Sequence, residues 1–315
     1  MRLVFCGTPQ FAVPTLEALA SGGHEIALVV TQPDRPRGRG MELAHSPVKQ
    51  SALKLGLAIT QPERIKTNAE FQSQLEAIHP EAIVVVGYGR IIPRWMLDLP
   101  RHGNLNVHAS LLPKYRGAAP IQWAIASGEQ ITGVTTMHLD EGLDTGDILL
   151  QAELPIALDD TSMTLAPKLA SIGAELMLDT LRGLQDGSLL PRPQDHAHHS
   201  LAPILKKEDG LVDFSRTADE IANRLRGFQP WPGAFSTFRG KSVTFHSVRP
   251  LTSGVAVLAP GEIAVQCDTL LTGCGEGTSV EVFELQLEGK RRMQARDFLH
   301  GYQPKPREAF GAPGS

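Results

Sequence analysis

Two polar side chains in one short segment, together with a carboxylate further along the chain, are the residues of this sequence best suited to chemistry. The segment GNLNVHASLLPKYRGAAP (103–120) contains Asn106 and His108. In a β-strand, side chains two residues apart point to the same face. The segment LDEGLDTGDIL (139–149) holds Asp144. We therefore expect an amide, an imidazole and a carboxylate to form one polar site.

These three residue types match the needs of group transfer to an amine. Asn106 can donate a side-chain hydrogen bond to a developing oxyanion, and His108 can donate to the same oxygen or move a proton. Asp144 can hold the imidazole and accept the proton of the amine. Each residue alone also fits a structural role, because a histidine near a strand end is often structural and runs such as DEGLDTGD suit turns. The spacing leaves both interpretations open.

The first half of the sequence alternates strand and helix patterns, which predicts a parallel sheet covered by helices on both faces, an α/β doubly wound fold. In such sheets ligands bind beyond the carboxyl ends of the strands. We expect the polar ends of NLNVHA and of GVTTMHLDEGLDTGDIL to lie at that edge. The apolar runs predicted as strands are RLVFCG, EIALVVTQ and EAIVVVGYG. One predicted helix follows residue 7, and another is centred on SPVKQSALKLG.

A long amphipathic helix is predicted from Thr161 to Leu184, with a polar cap before it and Gly187 after it. Pro167 removes one backbone donor inside this helix, so we expect a kink or a later start. Residues 189–208 are rich in Pro, His and charge without a sustained period, which is typical of a linker. We therefore expect a first domain over residues 1–188 and a second domain over residues 209–315.

The second domain is predicted to begin with a helix and continue with strands. Thr217 and Glu220 have the spacing of a capping box, and the helix after them reaches Phe228 before two prolines stop it. The segments FSTFRGKSVTFHSV, GEIAVQC and SVEVFELQL are rich in β-forming residues and separated by Gly and Pro signals. This pattern predicts a small antiparallel barrel or sandwich.

Composition excludes several classes of protein. The hydrophobic fraction of 42% and the charged fraction of 20% are those of a globular chain, not of a disordered or fibrous one. The three cysteines show neither disulfide pairing nor metal-ligand spacing, so we expect a reducing compartment and no metal. No run approaches the roughly 20 apolar residues of a membrane span, and no signal-peptide pattern is present. We expect a cytoplasmic protein.

A nicotinamide site is also not expected. Gly7 opens the first strand-to-helix turn and Asp34 follows the second strand, as in dinucleotide-binding folds. The fingerprint needs a second glycine where the backbone meets the pyrophosphate, but Pro9 and Gln10 occupy that stretch. Proline also lacks the amide donor that such a site uses. The turn is therefore interpreted as structural.

Basic residues are grouped in three places, although the net charge is −4. A polyanion could bind only through such local clusters. Each group also fits an ordinary solvated surface, and acidic residues are interleaved near the group that contains Lys290. The groups are Arg35, Arg37 and Arg39 in a segment predicted to be a mobile loop, Arg224 and Arg226 on the capped helix, and Lys290, Arg291, Arg292 and Arg296 after a predicted strand. Trp231, in QPWPGAF, is expected to pack in a core or between domains.

The runs GNLNVHASLLPKYRGAAPIQWAI and MHLDEGLDTGDIL resemble the active-site signature of the formyltransferases that use 10-formyltetrahydrofolate. The resemblance spans nearly the whole chain and implies a Rossmann-like first domain and an OB-like second domain. It implies that Asn106, His108 and Asp144 are catalytic. It also implies that the folate lies along Val86, Gly87 and Tyr88 and along the turn formed by Ser110, Leu111, Leu112 and Pro113.

The segment TQPDRPRGRG narrows the resemblance to members that formylate initiator methionyl-tRNA for translation initiation. In these proteins the basic loop inserts at the acceptor end of the tRNA, and Arg39 matches its key position. Arg35 and Arg37, and the cluster Lys290 to Arg292, are the other expected tRNA contacts. We expect a monomer that uses no metal and no nicotinamide.

Three other functions are consistent with part of the pattern. A transferase acting on a sugar nucleotide or another small amine has no need for the basic loop. A formyltetrahydrofolate hydrolase would replace the amine with water. A tRNA- or folate-binding module without activity would not need Asn106, His108 and Asp144 together.

Overall fold

Two compact units make up the chain, and each is assembled from separate stretches of sequence. The computed structural model describes residues 1–37, 42–251 and 258–311. The first unit contains Met1–Pro120, Ile131–Pro155 and Ala166–Pro203. The second contains Ile121–Gln130, Ile156–Leu165 and Ile204–Ser315.

The first unit is built on a sheet of seven strands among the residues described. The strands of this unit are β1 (Arg2–Gly7), β2 (Glu25–Val30), β3 (Arg35–Arg37), β4 (Glu42–Ala44), β5 (Ile59–Thr60), β6 (Ala82–Val86), β7 (Asn104–His108), β8 (Ile131–His138) and β9 (Ile148–Pro155). The sheet has the order β5-β2-β1-β6-β7-β8-β9, while β3 and β4 form a separate antiparallel pair. The first five strands in this order, from β5 through β2, β1 and β6 to β7, are parallel. Strand β8 is antiparallel to both of its neighbours, β7 and β9.

The apolar runs of the sequence explain why this sheet is covered on both faces. Every residue of β6 is buried, and every residue of β1 except Arg2 is buried. A strand that is apolar on both faces needs packing layers on both sides, as in parallel α/β sheets. The predicted α/β fold with a mostly parallel sheet is confirmed, with β8 as an antiparallel addition.

Helices connect these strands, and two of them begin at a side chain that caps the first turn. The helices are α1 (Val13–Ser21), α2 (Pro47–Lys54), α3 (Ala69–Ile78), α4 (Arg94–Leu97), α5 (Pro120–Ala126) and α6 (Ser162–Asp186), with 3₁₀ turns at Gln10–Ala12 and His196–His198. Ser46 caps α2 by accepting from the backbone N–H of Lys49 at 3.1 Å. Asn68 caps α3 in the same way, since its side chain accepts from the N–H of Phe71 at 3.0 Å.

Helix α6 begins before Pro167, so the expectation of a later start was wrong. The backbone N–H of Leu165 already donates to Thr161 O at 3.0 Å, which starts the helix ahead of the proline. Apolar side chains at Leu165, Leu169 and Leu181 are fully buried along the helix. Their burial outweighs the one backbone hydrogen bond that Pro167 removes. Gly187, with φ of +75°, ends the helix as predicted.

The part of the second unit from residue 204 onward contains an antiparallel sheet and two helices among its described residues. Its elements are α7 (Ala218–Gly227), β10 (Ala234–Phe238), β11 (Lys241–Leu251), β12 (Ile263–Gln266), β13 (Thr269–Gly273), β14 (Ser279–Leu287), β15 (Met293–Gln294) and α8 (Ala295–Tyr302), with 3₁₀ turns at Lys207–Gly210 and Gly275–Gly277. The sheet order is β10-β11-β14-β13-β12, with β15 paired to β14. The predicted capping box is confirmed, because the Glu220 N–H donates to Thr217 and the Thr217 N–H donates to the Glu220 carboxylate.

A short segment near residue 310 joins the two edge strands of this sheet. The N–H of Ile263 in β12 donates to Glu308 O, and the N–H of Gly311 donates to Thr237 O in β10. Phe310 between them is buried against Phe238 and other aromatic rings of the core. The segment therefore closes the sheet, as expected for a small barrel.

The helices within the described ranges do not meet the requirements of a bilayer. None combines the length and the apolar character needed to cross a membrane.

Candidate active site

Strand β7 presents two asparagines with different surroundings on one face. Asn104 is 1% exposed and its amide donates to Met96 O at 2.8 Å and to Leu97 O at 3.1 Å. The amide of Asn106 makes no hydrogen bond to any described residue, although this side chain is only 9% exposed. An amide without a partner in such a place is available to a bound molecule, because buried polar groups are normally hydrogen-bonded. Asn104 therefore supports the fold, whereas Asn106 is free to act.

His108 is the last residue of β7 and is held from one side. Its ring is 5% exposed, and Nε2 lies 2.9 Å from the backbone oxygen of Tyr115. A carbonyl can only accept, so Nε2 carries a proton and donates. The other ring nitrogen, Nδ1, faces Asp144 Oδ2 at 3.6 Å, which is longer than a hydrogen bond. Nδ1 is therefore the nitrogen left for reaction.

Asp144 reaches His108 from the loop between β8 and β9. Its φ is +52°, a left-handed conformation that Asp adopts more readily than most residues. The N–H of Gly117 donates to Oδ2 at 2.8 Å. Oδ1 has no hydrogen-bond partner within the described part of the chain. The sequence-predicted trio of Asn106, His108 and Asp144 thus occupies one end of β7 and the loop facing it.

A network of hydrogen bonds supports the turn that follows β7. The hydroxyl of Thr135 donates to Ser110 O at 2.7 Å and accepts from the N–H of Leu112 at 3.1 Å. The amide of Gln151 donates to Leu112 O at 2.9 Å and to Thr135 Oγ1 at 3.0 Å. The backbone of this turn is therefore fixed from the neighbouring strands β8 and β9.

Arg116 and Gln194 are two site residues that the sequence pattern did not identify. Arg116 is 4% exposed, and its guanidinium donates to Gln194 Oε1 from Nε at 3.1 Å and from Nη2 at 2.6 Å. The Gln194 amide donates to Asp144 O at 2.9 Å and to Gly146 O at 2.7 Å. Gln194 lies in the stretch interpreted as a linker, where no periodicity marks a buried side chain. For Arg116 the one available signal was that a charged residue lies within the same run, 103–120, as Asn106 and His108.

The residues expected to contact folate differ in what they expose. Gly87 is exposed with φ of +55°, and Leu111 and Pro113 are half-buried. The other four side chains, those of Val86, Tyr88, Ser110 and Leu112, are buried at 3% exposure or less. Burial raises the pKa of the Tyr88 phenol, and its ring packs in the apolar cluster with Cys6 and Met96. Tyr88 can therefore offer a ligand its backbone but not its ring.

The basic segment after β2 begins at a firmly held carboxylate. Asp34 accepts from Lys49 Nζ at 2.5 Å, from Gln61 at 2.9 Å and from His45 at 2.9 Å. The hydrogen bond from Lys49, followed by that from Gln61, holds the pKa of Asp34 at about 2. Arg35, the next residue, is exposed at the start of β3. The segment is therefore anchored immediately before its first arginine. Arg35–Arg37 pair as strand β3 with β4, so the expectation that these residues form a loop was wrong.

The other basic residues that were predicted to contact tRNA differ in their positions and in their ion pairs. Arg37 is the last residue of β3, and Arg39 lies outside the described residues. Lys290, Arg291 and Arg292 are exposed between β14 and β15. Arg292 forms an ion pair with Glu284, whereas no described residue pairs with the side chain of Lys290 or Arg291.

Two arginines expected to contact phosphate face the protein instead. Arg224 donates to Asp209 O at 3.0 Å, and its guanidinium lies 4.8 Å from the centre of the Phe228 ring. Arg226 donates to Asp160 O at 2.7 Å. Burial lowers the pKa of both guanidinium groups. Both side chains donate to backbone carbonyls, and Arg224 also packs over an aromatic ring, which favours a structural role over a phosphate contact.

Trp231 was also misplaced by the sequence pattern, and the described chain shows no metal-binding cluster. Trp231 is 54% exposed, so it is not a core residue. No group of three or more His, Cys, Asp or Glu side chains in the described residues could hold a metal ion.

Comparisons with known proteins show which family the chain matches. Residues 1–181 match the family described as Formyl transferase, and residues 204–303 match Formyl transferase, C-terminal domain. A relative named methionyl-tRNA formyltransferase from Koribacter versatilis is 63% identical over 311 residues, which cover 99% of this chain and 99% of that protein.

Solved structures with low sequence identity share the fold. HypX from Aquifex aeolicus, in complex with tetrahydrofolic acid, gives a TM-score of 0.61 at 19% identity, covering 98% of this chain and 48% of HypX. This chain therefore spans about half the length of HypX. The sugar 3N-formyl transferase WlaRD, determined in the presence of dTDP and 5-N-formyl-THF, gives a TM-score of 0.68 at 18% identity, covering 92% of this chain and 99% of WlaRD.

Replacing Gly117 by alanine is expected to lower the free energy of unfolding by about 3 kcal/mol or more. Its φ is +118°, and an added Cβ would lie 2.7 Å from Ala202 O. Gly187→Ala is the matched control, because φ there is +75° but no atom lies within 4 Å of the added Cβ. Its cost should be about 1 to 2 kcal/mol. Urea unfolding measures both, and equal losses would contradict the close approach of Gly117 to Ala202.

Proposed function

The chain belongs to the formyl transferase family, and on this premise we propose that it formylates the α-amino group of methionyl-tRNA. The formyl donor in this proposal is 10-formyltetrahydrofolate, and the acceptor is the initiator tRNA charged with methionine. The relative at 63% identity over nearly the full length supports this acceptor. Translation initiation is then the process served, and we place the enzyme in the cytoplasm as a monomer.

The observation that carries the proposal is the unpartnered amide of Asn106 beside the His108 and Asp144 pair. Asn106 is 9% exposed, and its amide makes no hydrogen bond within the described chain. Nδ1 of His108 and Oδ2 of Asp144 stand 3.6 Å apart. A donor, a proton carrier and a carboxylate thus lie together, with Asn106 and Oδ1 of Asp144 both left open for substrate.

The formyl donor, the folate, fits residues near the same end of the sheet. The half-buried side chains of Leu111 and Pro113 and the exposed backbone of Gly87 are what a flat apolar ring system could contact. When bound, the folate supplies a formyl carbon activated for attack by an amine. Val86, Tyr88, Ser110 and Leu112 support the surrounding backbone from within the protein. No metal enters the proposal.

Each catalytic side chain has a separate task. Asn106 donates to the oxygen on which negative charge develops, and a preorganised donor of this kind lowers the barrier strongly. Because the Nε2–H of His108 is engaged by Tyr115 O, Nδ1 accepts a proton when the ring is neutral and donates to the same oxygen when the ring is protonated. Oδ1 of Asp144 accepts the proton that the amine loses. The bond between the formyl carbon and the folate nitrogen then breaks as that nitrogen takes up a proton, so tetrahydrofolate is the leaving group. A free α-amino group has a pKa of about 7.7 to 8.0, and an adjacent ester lowers it, so much of the nucleophile is already neutral at pH 7.

Basic residues on both units are the proposed contacts for the tRNA. Arg35, Arg37 and Arg39 are the proposed contacts in the segment after β2. Of the cluster from Lys290 to Arg292, the first two side chains are the stronger candidates for phosphate, because Arg292 is paired with Glu284.

The experiment that tests the proposal offers 10-formyltetrahydrofolate with four acceptors in parallel. These are methionyl-initiator tRNA, methionyl-elongator tRNA, an amino-sugar nucleotide and water alone. We expect selective formylation of the first, measured by transfer of labelled formyl to acid-precipitable RNA. Equal rates on the amino sugar, or formate release without transfer, would contradict the proposal and favour a small-amine transferase or a hydrolase.

Removing either oxyanion donor should abolish most of the turnover. Asn106→Ala and His108→Ala are expected to lower kcat about a hundredfold or more, because one such donor contributes about 2.7 to 4 kcal/mol to barrier lowering. Asp144→Asn keeps the shape and removes the charge, and it should also be strongly impaired. Thermal unfolding confirms that each variant is folded. Full activity in the first two variants would refute their catalytic assignment.

A further inference from the structure

Gln194 belongs to residues 182–203, which lie between the two family matches. Its side chain is nevertheless 5% exposed and fully engaged by hydrogen bonds. Its partners lie far away in sequence, at Arg116, Asp144 and Gly146. A polar side chain this deeply placed, in a stretch without regular structure, is held there by its bonds.

Arg116 determines the orientation of the Gln194 amide. Two nitrogens of its guanidinium donate to the same oxygen, Oε1, at 3.1 and 2.6 Å. Since a guanidinium cannot accept a hydrogen bond, the oxygen of the amide must face Arg116 and the nitrogen must face the other way. The direction in which Gln194 donates is therefore fixed by a buried charge.

The side-chain amide nitrogen of Gln194 donates two hydrogen bonds to the loop that carries Asp144. It donates to Asp144 O at 2.9 Å and to Gly146 O at 2.7 Å, on either side of Thr145. Asp144 holds φ of +52°, a left-handed conformation that is unfavourable for a non-glycine residue. The two hydrogen bonds oppose relaxation of this backbone, and the carboxylate direction depends on it.

We propose that Gln194, oriented by Arg116, is the positioning residue that aims the Asp144 carboxylate at His108. Gln194 does not touch the reacting atoms and acts only through the backbone of the Asp144 loop. The inference rests on the proposed function, because it takes Asp144 as the acceptor of the amine's proton. Residues 189–208 then contribute to the active site rather than only connecting two domains.

The test replaces Gln194 by methionine, which keeps the length of the side chain and removes both donors. We expect kcat for methionyl-tRNA formylation to fall about 10- to 100-fold, as small displacements of a reacting group do, with KM for both substrates unchanged. Asn104→Leu is the matched control, because Asn104 also holds two backbone carbonyls with one buried amide. This control should lose stability but keep the kcat of the wild type.

A double-mutant cycle with Asp144→Asn separates positioning from a general structural role. If Gln194 acts through Asp144, adding Gln194→Met to Asp144→Asn should lower kcat by less than about twofold further. Fully additive losses would overturn the proposal, since they would mean that Gln194 acts independently of the carboxylate.

A second variant keeps the proposal testable if Gln194→Met does not fold. Gln194→Glu keeps an oxygen for Arg116, and the buried charges pair, so the variant should fold. Its other oxygen cannot donate to the two loop carbonyls, so it should show the same loss of kcat. Wild-type kcat in Gln194→Glu would overturn the proposal. Absence of formylation by the wild-type protein would instead refute the proposed function.

Discussion

Three consecutive residues, Tyr115, Arg116 and Gly117, hold both members of the histidine and carboxylate pair. The carbonyl of Tyr115 accepts from His108, and the N–H of Gly117 donates to the carboxylate of Asp144. The side chain of Arg116, between them, orients Gln194, which in turn bonds the Asp144 loop. The distance between His108 and Asp144 is thus set by a single short piece of backbone.

This arrangement requires unusual backbone geometry. Tyr115 and Gly117 have φ of +60° and +118°, so the segment can direct a carbonyl, a side chain and an N–H toward different partners. Such conformations cost free energy and persist only where the surroundings determine them. Here the surroundings are residues 200–202, because the N–H of Arg116 donates to Ser200 O at 2.9 Å and Arg116 O accepts from Ala202 at 2.7 Å. The segment between the family matches therefore stabilises the geometry of the active site.

The sequence predicted those features that depend on local spacing. Asn106 and His108 share a face of β7 because strand side chains alternate, and Thr217 caps α7 because its partner is three residues away. Gln194 could not be found in this way, since its bonds depend on chain segments brought together only by folding. The inward turn of Arg224 has the same origin, as its carbonyl and ring partners are set by tertiary packing. Local pattern indicated the proposed reacting groups but not the residues that hold them.

The central claim is that Asp144 is fixed to the Gly117 amide before any substrate binds. Hydrogen exchange of the Gly117 N–H in the substrate-free protein tests this claim most directly, with Asp144→Ala as comparison. We expect protection in the wild type and fast exchange in the variant, while the N–H of Ala119, which donates to Ala202 O at 3.1 Å, stays protected in both. Equally fast exchange of Gly117 in the wild type and the variant would contradict the account.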